Sequence, residues 1–287
     1  MTDAAATHRR PHLHSGPPPR LIATDLDGTL LHDDHTVSLR TVAALAAAEQ
    51  AGIEVFFVTG RPARWMHVVS DHVHGHGLAI CANGAAVVDL HRGGHIVAVR
   101  DLPVPAALSV VGALRAAAPG VSFAVERTGG IHYEPDYPPF FEDPGALIAP
   151  VGKLLAADTP LAEQPVLKLL AHHRTFDPDV FLDDARTAAG TFASFTRSSP
   201  SALLEISGPG VSKAGTLAHC CAERGIAPEE VVAFGDMPND LEMLNWAGTA
   251  YAMSNAHPAV LASTPHRTLS NNEDGVAAVI ERILTER

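Results

Sequence analysis

Apolar runs and polar segments alternate along the chain in a way that predicts buried parallel strands separated by helices. Runs rich in β-branched residues, each followed by a turn signal, predict strands at 21–24, Ile53–Val58, Leu78–Ala82, Val231–Phe234 and near Thr249–Met253. The segment after the first strand predicts a helix with Leu39, Val42 and Leu45 on one apolar face. Ser38 is expected to cap its start and Gly52 to close its end. A strand, helix, strand order with short joints makes the first two strands parallel neighbours joined by a right-handed crossover.

The pattern of predicted elements changes between about Ala86 and Ser207, where short strands outnumber helices. Short strands are predicted at Ala86–Leu90, His95–Val99, Val121–Glu126, Ile131–Tyr133, Val166–Ala171, Phe192–Thr196 and Leu203–Ile206, with helices at Ala106–Ala117 and Asp179–Ala189. The block is long enough to form a domain of its own, and extra strands that extend the first sheet are the alternative. After it, a last helix is predicted over Gly275–Leu284, with four apolar positions facing inward: Val276, Val279, Ile280 and Ile283.

Composition narrows the possible partners. Among 287 residues, 20 Lys and Arg stand against 32 Asp and Glu, for a net charge of −12. This balance argues against a nucleic acid or an anionic membrane as partner. The three cysteines have no CxxC spacing, so neither a disulfide framework nor a zinc site is indicated, and a cytoplasmic location is expected. Residues 1–20 have the composition of a disordered tail, and no run of transmembrane length is present.

The first strand delivers two carboxylates to one end of the predicted sheet. Asp25 follows the apolar run directly, and Asp27 lies two residues on, before Gly28, which permits a sharp turn. We therefore expect both carboxylates to converge at the carboxyl edge, where open α/β sheets place their chemistry. Two carboxylates this close repel each other unless a cation or a proton relieves the repulsion, and Mg²⁺ is the simplest candidate.

Two further segments predict binding of an anion. Pro62 suits the first position of a helix, which places Thr59 and the Gly60 and Arg61 amides at its positive end, where a phosphate would bind. Ser212 is expected to cap another helix, with Lys213 in its first turn. A cation there opposes the helix dipole, so a compensating anion is expected nearby.

A second acidic segment follows the strand Val231–Phe234, in the sequence Gly235-Asp236-Met237-Pro238-Asn239-Asp240. Asp236 leaves the same sheet edge as Asp25, and Asp240 follows one helical turn later, so both can face one cation.

These segments together resemble the four motifs of haloacid-dehalogenase-superfamily phosphatases, in the family's order. Asp25-Leu26-Asp27-Gly28-Thr29 matches the family's DxDGT signature, and Thr59, Lys213 and the GDxxND segment match the other three motifs. The long insertion after the third strand is similar to the C2-type cap of the Cof-like subfamily. The resemblance implies a doubly wound, Rossmann-like α/β core at residues 21–84 and 208–287, with an α+β cap at 85–207 that covers the active site.

The resemblance also implies an activity and a set of site residues. It implies Mg²⁺-dependent hydrolysis of a small phosphorylated metabolite, with Asp25 as nucleophile and Asp27 as acid and base. The implied phosphate-binding residues are Thr59, Gly60, Lys213 and Asn239, and the implied metal-binding residues are Asp25, Asp27 (through its carbonyl), Asp236 and Asp240.

Two alternatives to a hydrolase stay open at this point. A phosphomutase of the same superfamily would use the same motifs, and a non-catalytic phosphometabolite-binding or regulatory protein could use an Asp, Thr and Lys set. Cap residues would select the substrate, and five are candidates to face the site: His132, Tyr133, Glu134, Tyr137 and Lys168. The sequence pattern does not indicate which oligomeric state the protein adopts.

Overall fold

The computed structural model describes residues 17–70, 77–138, 143–199 and 201–286. Most of the predicted tail, residues 1–16, lies outside these ranges. Arg20, the last residue of that tail, already belongs to the fold, because its backbone N–H donates to Glu230 O and its carbonyl accepts from Glu54 N.

Strands and helices alternate along most of the described chain. The strands are β1 (Leu21–Thr24), β2 (Glu54–Val58), β3 (Leu78–Cys81), β4 (Ala86–Asp89), β5 (His95–Val99), β6 (Ser122–Arg127), β7 (Gly130–Tyr133), β8 (Val166–His172), β9 (Ser194–Thr196), β10 (Leu203–Ser207), β11 (Val231–Gly235), β12 (Thr249–Ala252) and β13 (His266–Arg267). The α-helices are α1 (Leu39–Gln50), α2 (His67–Ser70), α3 (Val104–Ala117), α4 (Val151–Leu154), α5 (Pro178–Ala189), α6 (Lys213–Glu223), α7 (Leu241–Trp246), α8 (Pro258–Ser263) and α9 (Gly275–Thr285).

The strands form two sheets, each with its own apolar core. The first sheet has the order β13-β12-β11-β1-β2-β3-β4-β5, and its pairs are parallel from β13 to β3. The second sheet has the antiparallel order β7-β6-β8-β10-β9. Separate clusters of buried side chains lie against the two sheets. The α/β core and the inserted α+β unit predicted from the sequence are therefore both present.

The start of the inserted unit differs from the prediction. We expected the strands at 86–99 in the insertion, but β4 and β5 pair antiparallel with β3 and extend the first sheet. The chain reverses direction at Ala82–Gly84, where Asn83 has a left-handed backbone with φ 55° and ψ 32°. This turn returns Ala86 beside Cys81, so the insertion begins near residue 100 rather than at residue 85.

Helix α1 confirms its predicted ends and, apart from Leu39, its predicted face, since Leu45 is buried and Val42 half-buried. Ser38 caps it by accepting a hydrogen bond from Thr41 N. Leu39, expected inside, is 88% exposed. The buried face carries Thr41, Ala44, Leu45 and Ala48, because the packing of α1 against α9 selects that side. On α9, all four predicted inward residues are buried.

None of the helices in the described ranges combines the length and apolar character that crossing a lipid bilayer requires.

Candidate active site

Three neighbouring strands of the first sheet end in polar residues at one edge. Asp25 follows β1, Thr59 follows β2 and Asp236 follows β11. Strand β1 lies between β2 and β11 in the parallel sheet, so the three residues leave the same edge side by side. The predicted placement of these residues is confirmed.

Asp25, Asp236 and Asp240 form a buried acidic group. One carboxylate oxygen from each lies within 4.8 Å of the others. Burial raises the pKa of Asp25 well above its usual value; Lys213 opposes this, and the neighbouring carboxylates add to it. Burial and then repulsion from Asp240 raise the pKa of Asp236 to about 7. The group therefore holds more negative charge than its surroundings compensate, as a cation site would.

Lys213 lies at the centre of this group and is 1% exposed. Ser212 caps α6 by accepting from Gly215 N, which places Lys213 in the first turn, as predicted. The Lys213 ammonium donates to Asp25 Oδ1 at 2.6 Å and to Asp240 Oδ1 at 2.7 Å. Burial lowers the pKa of Lys213, but the two carboxylates outweigh it and raise the pKa above its usual range. The compensating anion expected for this cation is thus a pair of aspartates.

Asp240 uses both of its oxygens within the protein. Oδ1 accepts from Lys213, and Oδ2 accepts from the backbone N–H groups of Asp236 and Met237, each at 3.0 Å. As predicted, Asp240 lies close to Asp236, since both belong to the acidic group. Its hydrogen bonds, however, make it a support that holds Lys213 and the β11–α7 loop, rather than an open ligand.

Asp27 lines the same cavity as Asp25 but lies outside the buried acidic group of Asp25, Asp236 and Asp240. Arg61 binds it at both oxygens, with Nε 2.8 Å from Oδ2 and Nη2 2.5 Å from Oδ1. Its side chain is 48% exposed. The sharp turn at Gly28 is nevertheless required, because φ is +73° and a Cβ there would lie 2.4 Å from Asp236 Oδ2. Gly28 thus lets the β1 loop pack against Asp236.

The segment after β2 also differs in part from its prediction. Thr59 is fully buried, and its Oγ1 accepts from Arg61 N at 3.0 Å. Pro62 does not open a long helix; it precedes a single 3₁₀ turn at Ala63–Trp65, followed by the four-residue α2. The positive end of a long helix is therefore absent from this side of the described site. Binding of an anion here would depend on the hydroxyl and the amides themselves.

Asn239 provides a polar atom that has no partner in the described chain. Its Nδ2 donates to Asn83 Oδ1 at 3.1 Å, whereas its buried Oδ1 accepts no hydrogen bond from described residues. Buried amide oxygens are normally hydrogen-bonded. This atom therefore suits a ligand or an ordered water.

A polar network that the sequence analysis did not predict joins the two sheets. Lys168 on β8 donates to Gly60 O at 2.9 Å and forms a buried ion pair with Glu205 on β10. Glu205 Oε2 also accepts from Asn83 Nδ2 at 2.8 Å. Burial would raise the pKa of Glu205, but Lys168 and the hydroxyl of Ser198 lower it below its usual value. The sequence signal was present: each of these strands carries one charge within an apolar run, as in Val166-Leu-Lys-Leu-Leu.

A cavity of about 810 Å³ opens between the acidic edge and the second sheet. Of the five candidates from the insertion, Tyr133, Tyr137 and Lys168 line it. His132 and Glu134 do not, because side chains alternate along a strand and these two face away. His132 accepts from Leu147 N and Glu134 from Phe123 N, so both have structural partners.

Comparisons with known proteins agree with this architecture. A family model described as haloacid dehalogenase-like hydrolase matches residues 22–280. The chain is 30% identical over 275 residues to the 5-amino-6-(5-phospho-D-ribitylamino)uracil phosphatase YitU of Bacillus subtilis, covering 92% of this chain and 97% of YitU. It is 29% identical over 282 residues to the pyridoxal phosphate phosphatase YbhA of Escherichia coli, covering 91% and 97%. The solved structure of a haloacid dehalogenase-like hydrolase from B. subtilis matches with a TM-score of 0.76 at 26% identity, covering 91% of this chain and 99% of that one.

Proposed function

The chain belongs to the haloacid dehalogenase-like hydrolases and is a phosphatase of the Cof-like group, and we propose that it hydrolyses a small phosphomonoester with Mg²⁺ through an aspartyl-phosphate on Asp25. One observation carries this proposal. Asp25, Asp236 and Lys213 come from separate elements and meet at one sheet edge, with Lys213 bound directly to Asp25. A nucleophilic carboxylate, a cation site and a fixed positive charge at one point are the groups that phosphoryl transfer requires.

The residues fit a divalent cation. Four carboxylates and two cationic side chains meet at the edge: Asp25, Asp27, Asp236, Asp240, Lys213 and Arg61. Two negative charges are left uncompensated, and one Mg²⁺ would balance them. Carboxylate and carbonyl oxygens are also the ligands that Mg²⁺ prefers. We assign the ion to the carboxylates of Asp25 and Asp236 and the carbonyl of Asp27, with Asp240 behind them. When bound, Mg²⁺ would screen the phosphate charge and polarise a phosphoryl oxygen.

In the first step, a carboxylate oxygen of Asp25 forms a bond to phosphorus while the bond to the substrate alcohol breaks. Lys213 holds Asp25 in place, and we assign the phosphate oxygens to Lys213, the Thr59 hydroxyl, the Gly60 amide and the second N–H of Asn239 Nδ2. Asp27 gives a proton to the departing alcohol. Because Arg61 binds Asp27 in this structure, that pair must open when the substrate enters.

In the second step, Asp27 takes a proton from a water molecule, and the oxygen of that water attacks phosphorus. The bond between Asp25 and phosphorus then breaks, which releases inorganic phosphate and restores both aspartates. The activities for which YitU and YbhA are named support a small phosphorylated metabolite as the substrate.

The nucleophile assignment is tested with Asp25→Asn. We expect Mg²⁺-dependent hydrolysis of p-nitrophenyl phosphate by the unaltered chain, loss of this activity in EDTA, and no turnover by the variant. Asp183→Asn, at an exposed position of α5, is the matched control and should retain activity. Turnover by Asp25→Asn at the unaltered rate would contradict the assignment. Isomerisation of a sugar monophosphate without release of phosphate would indicate a mutase instead.

A further inference from the structure

The cavity next to the acidic edge has a wall of aromatic and aliphatic side chains. Beyond the catalytic edge its lining includes Trp65, Ile131, Tyr133, Tyr137, Leu170 and Leu203. The rings of Tyr133 and Tyr137 stack at 6.3 Å between centroids with an interplanar angle of 29°. Such surfaces favour a flat apolar group, because aromatic rings gain most from offset or edge contacts with another ring.

The size of the cavity leaves room for a leaving group larger than a three-carbon alcohol. Its volume of about 810 Å³ lies within the range of roughly 300–1,000 Å³ that is usual for pockets holding drug-sized molecules. A three-carbon alcohol would leave most of that space to water. A leaving group that carries a ring would displace water from the apolar walls, and this displacement favours binding.

The arginine and lysine side chains that line the cavity are each paired with a carboxylate. Arg64 binds Glu126 with two guanidinium nitrogens, and its Nε lies 3.7 Å from Asp143 Oδ2. Lys168 is paired with Glu205, and Arg61 with Asp27, as described above.

Each Arg and Lys of the described lining therefore has a carboxylate partner. Apart from Asp25, Asp27 and Arg61, the Asp, Glu, Arg and Lys residues of the lining are three carboxylates (Glu126, Asp143, Glu205) and two cations (Arg64, Lys168). A substrate with a second phosphate or a carboxylate would find no unpaired cation there and would meet a net negative wall.

We propose that the leaving group is an uncharged alcohol carrying a planar ring, and that substrates with a second anionic group are disfavoured. This inference rests on the proposed function and specifies its substrate class. Arg64 and Glu126 determine the charge selection, and the aromatic wall determines the preference for a ring.

Three simple phosphomonoesters separate these two selections in the unaltered chain with Mg²⁺. Benzyl phosphate carries a ring, propyl phosphate lacks one, and 4-carboxybenzyl phosphate adds an anionic group to the ring. We expect kcat/KM for benzyl phosphate to exceed that for each of the other two by about tenfold or more. Equal or higher values for propyl phosphate overturn the ring preference, and equal or higher values for 4-carboxybenzyl phosphate overturn the charge selection.

Glu126→Gln tests the origin of the charge selection. Removing this carboxylate leaves Arg64 with one carboxylate partner, Asp143 at 3.7 Å, instead of two, so the ratio of kcat/KM for 4-carboxybenzyl phosphate to that for benzyl phosphate should rise about tenfold. Glu163→Gln makes the same change at an exposed site outside the cavity and should leave the ratio unchanged. An unchanged ratio in Glu126→Gln would show that this pair does not select charge.

p-Nitrophenyl phosphate separates this inference from the proposed function. If the chain with Mg²⁺ hydrolyses no phosphomonoester, p-nitrophenyl phosphate included, the proposed function fails and the inference fails with it. If p-nitrophenyl phosphate is hydrolysed but the order of the three esters is reversed, only the inference fails.

Discussion

Replacing Lys213 by Met removes the buried cation while keeping a side chain of similar length. Lys213 is 1% exposed and lies 2.6 Å from Asp25 Oδ1 and 2.7 Å from Asp240 Oδ1. At these distances each pair attracts by about 6 kcal/mol at an effective dielectric constant of about 20. The cost of desolvating three charges offsets much of this attraction, so the gross figure overstates the loss.

The net effect is set by the charges that remain. Without Lys213, Asp25 and Asp240 stay buried without a cation, and breaking a buried pair in this way costs about 3–5 kcal/mol. We expect that decrease in the free energy of unfolding in EDTA near pH 7.5. Because protonation relieves the repulsion, the decrease should be smaller near pH 5. Mg²⁺ should return part of the loss by supplying positive charge.

Urea unfolding followed by circular dichroism measures the stability, and hydrolysis of p-nitrophenyl phosphate measures the activity. We expect kcat to fall on the order of 10²–10³-fold, as for loss of one preorganised charge donor. Lys153→Met, at an exposed position on α4, is the control and should change stability by less than about 0.5 kcal/mol. If both variants behave alike, Lys213 does not bind a buried acidic pair.

Three further outcomes follow from the site. Gly28→Ala should lower the free energy of unfolding by about 1–3 kcal/mol and weaken activation by Mg²⁺, because a Cβ at this position would lie 2.4 Å from Asp236 Oδ2. Unfolding curves measure the first effect and a Mg²⁺ titration of activity measures the second. Unchanged values in both would contradict the close packing of Gly28 against Asp236. The pKa of Asp236 is raised from 3.8 to about 7, so between these values the folded chain binds more protons than the unfolded chain. The contribution of Asp236 to the stability of the Mg²⁺-free protein should therefore fall by at most about 4 kcal/mol as pH rises through this window, and the raised pKa of Asp25 acts in the same direction. Saturating Mg²⁺ should flatten the upper part of the profile, and a flat profile in EDTA would refute the reasoning. Glu205→Gln leaves the buried Lys168 without its carboxylate, so the free energy of unfolding should fall by about 3–5 kcal/mol. The value of kcat/KM should also fall, because Lys168 supports Gly60. A change in neither quantity would show that this network contributes to neither stability nor activity.

The residues at the sheet edge could be predicted because each is tied to a local pattern. An apolar run that ends in Asp25, Thr59 or Asp236 places that residue at the carboxyl end of a strand, whatever packs around it. Ser212 caps α6 through its own side chain, so the position of Lys213 in the first turn was also local. All four elements were found where the pattern indicated.

Other features were wrong or not predicted, and each depends on a partner distant in sequence. The partner of β4 depends on the turn at Asn83, which returns the chain to β3 instead of into the insertion. Leu39 faces solvent because α9 packs on the opposite side of α1. The pairing of Asp27 with Arg61 depends on two loops that meet only in the folded chain.

The sequence by itself therefore determined which side chains stand at the active edge, since strand ends and helix caps are set by neighbouring residues. Only the tertiary structure decided which charges pair across that edge, and how Lys168 and Glu205 from the second sheet reach Gly60 and Asn83 in the loops of the first sheet. The physical reason is that a charge buried by one element must find its counter-charge on whichever element folds against it, and no local spacing encodes that choice.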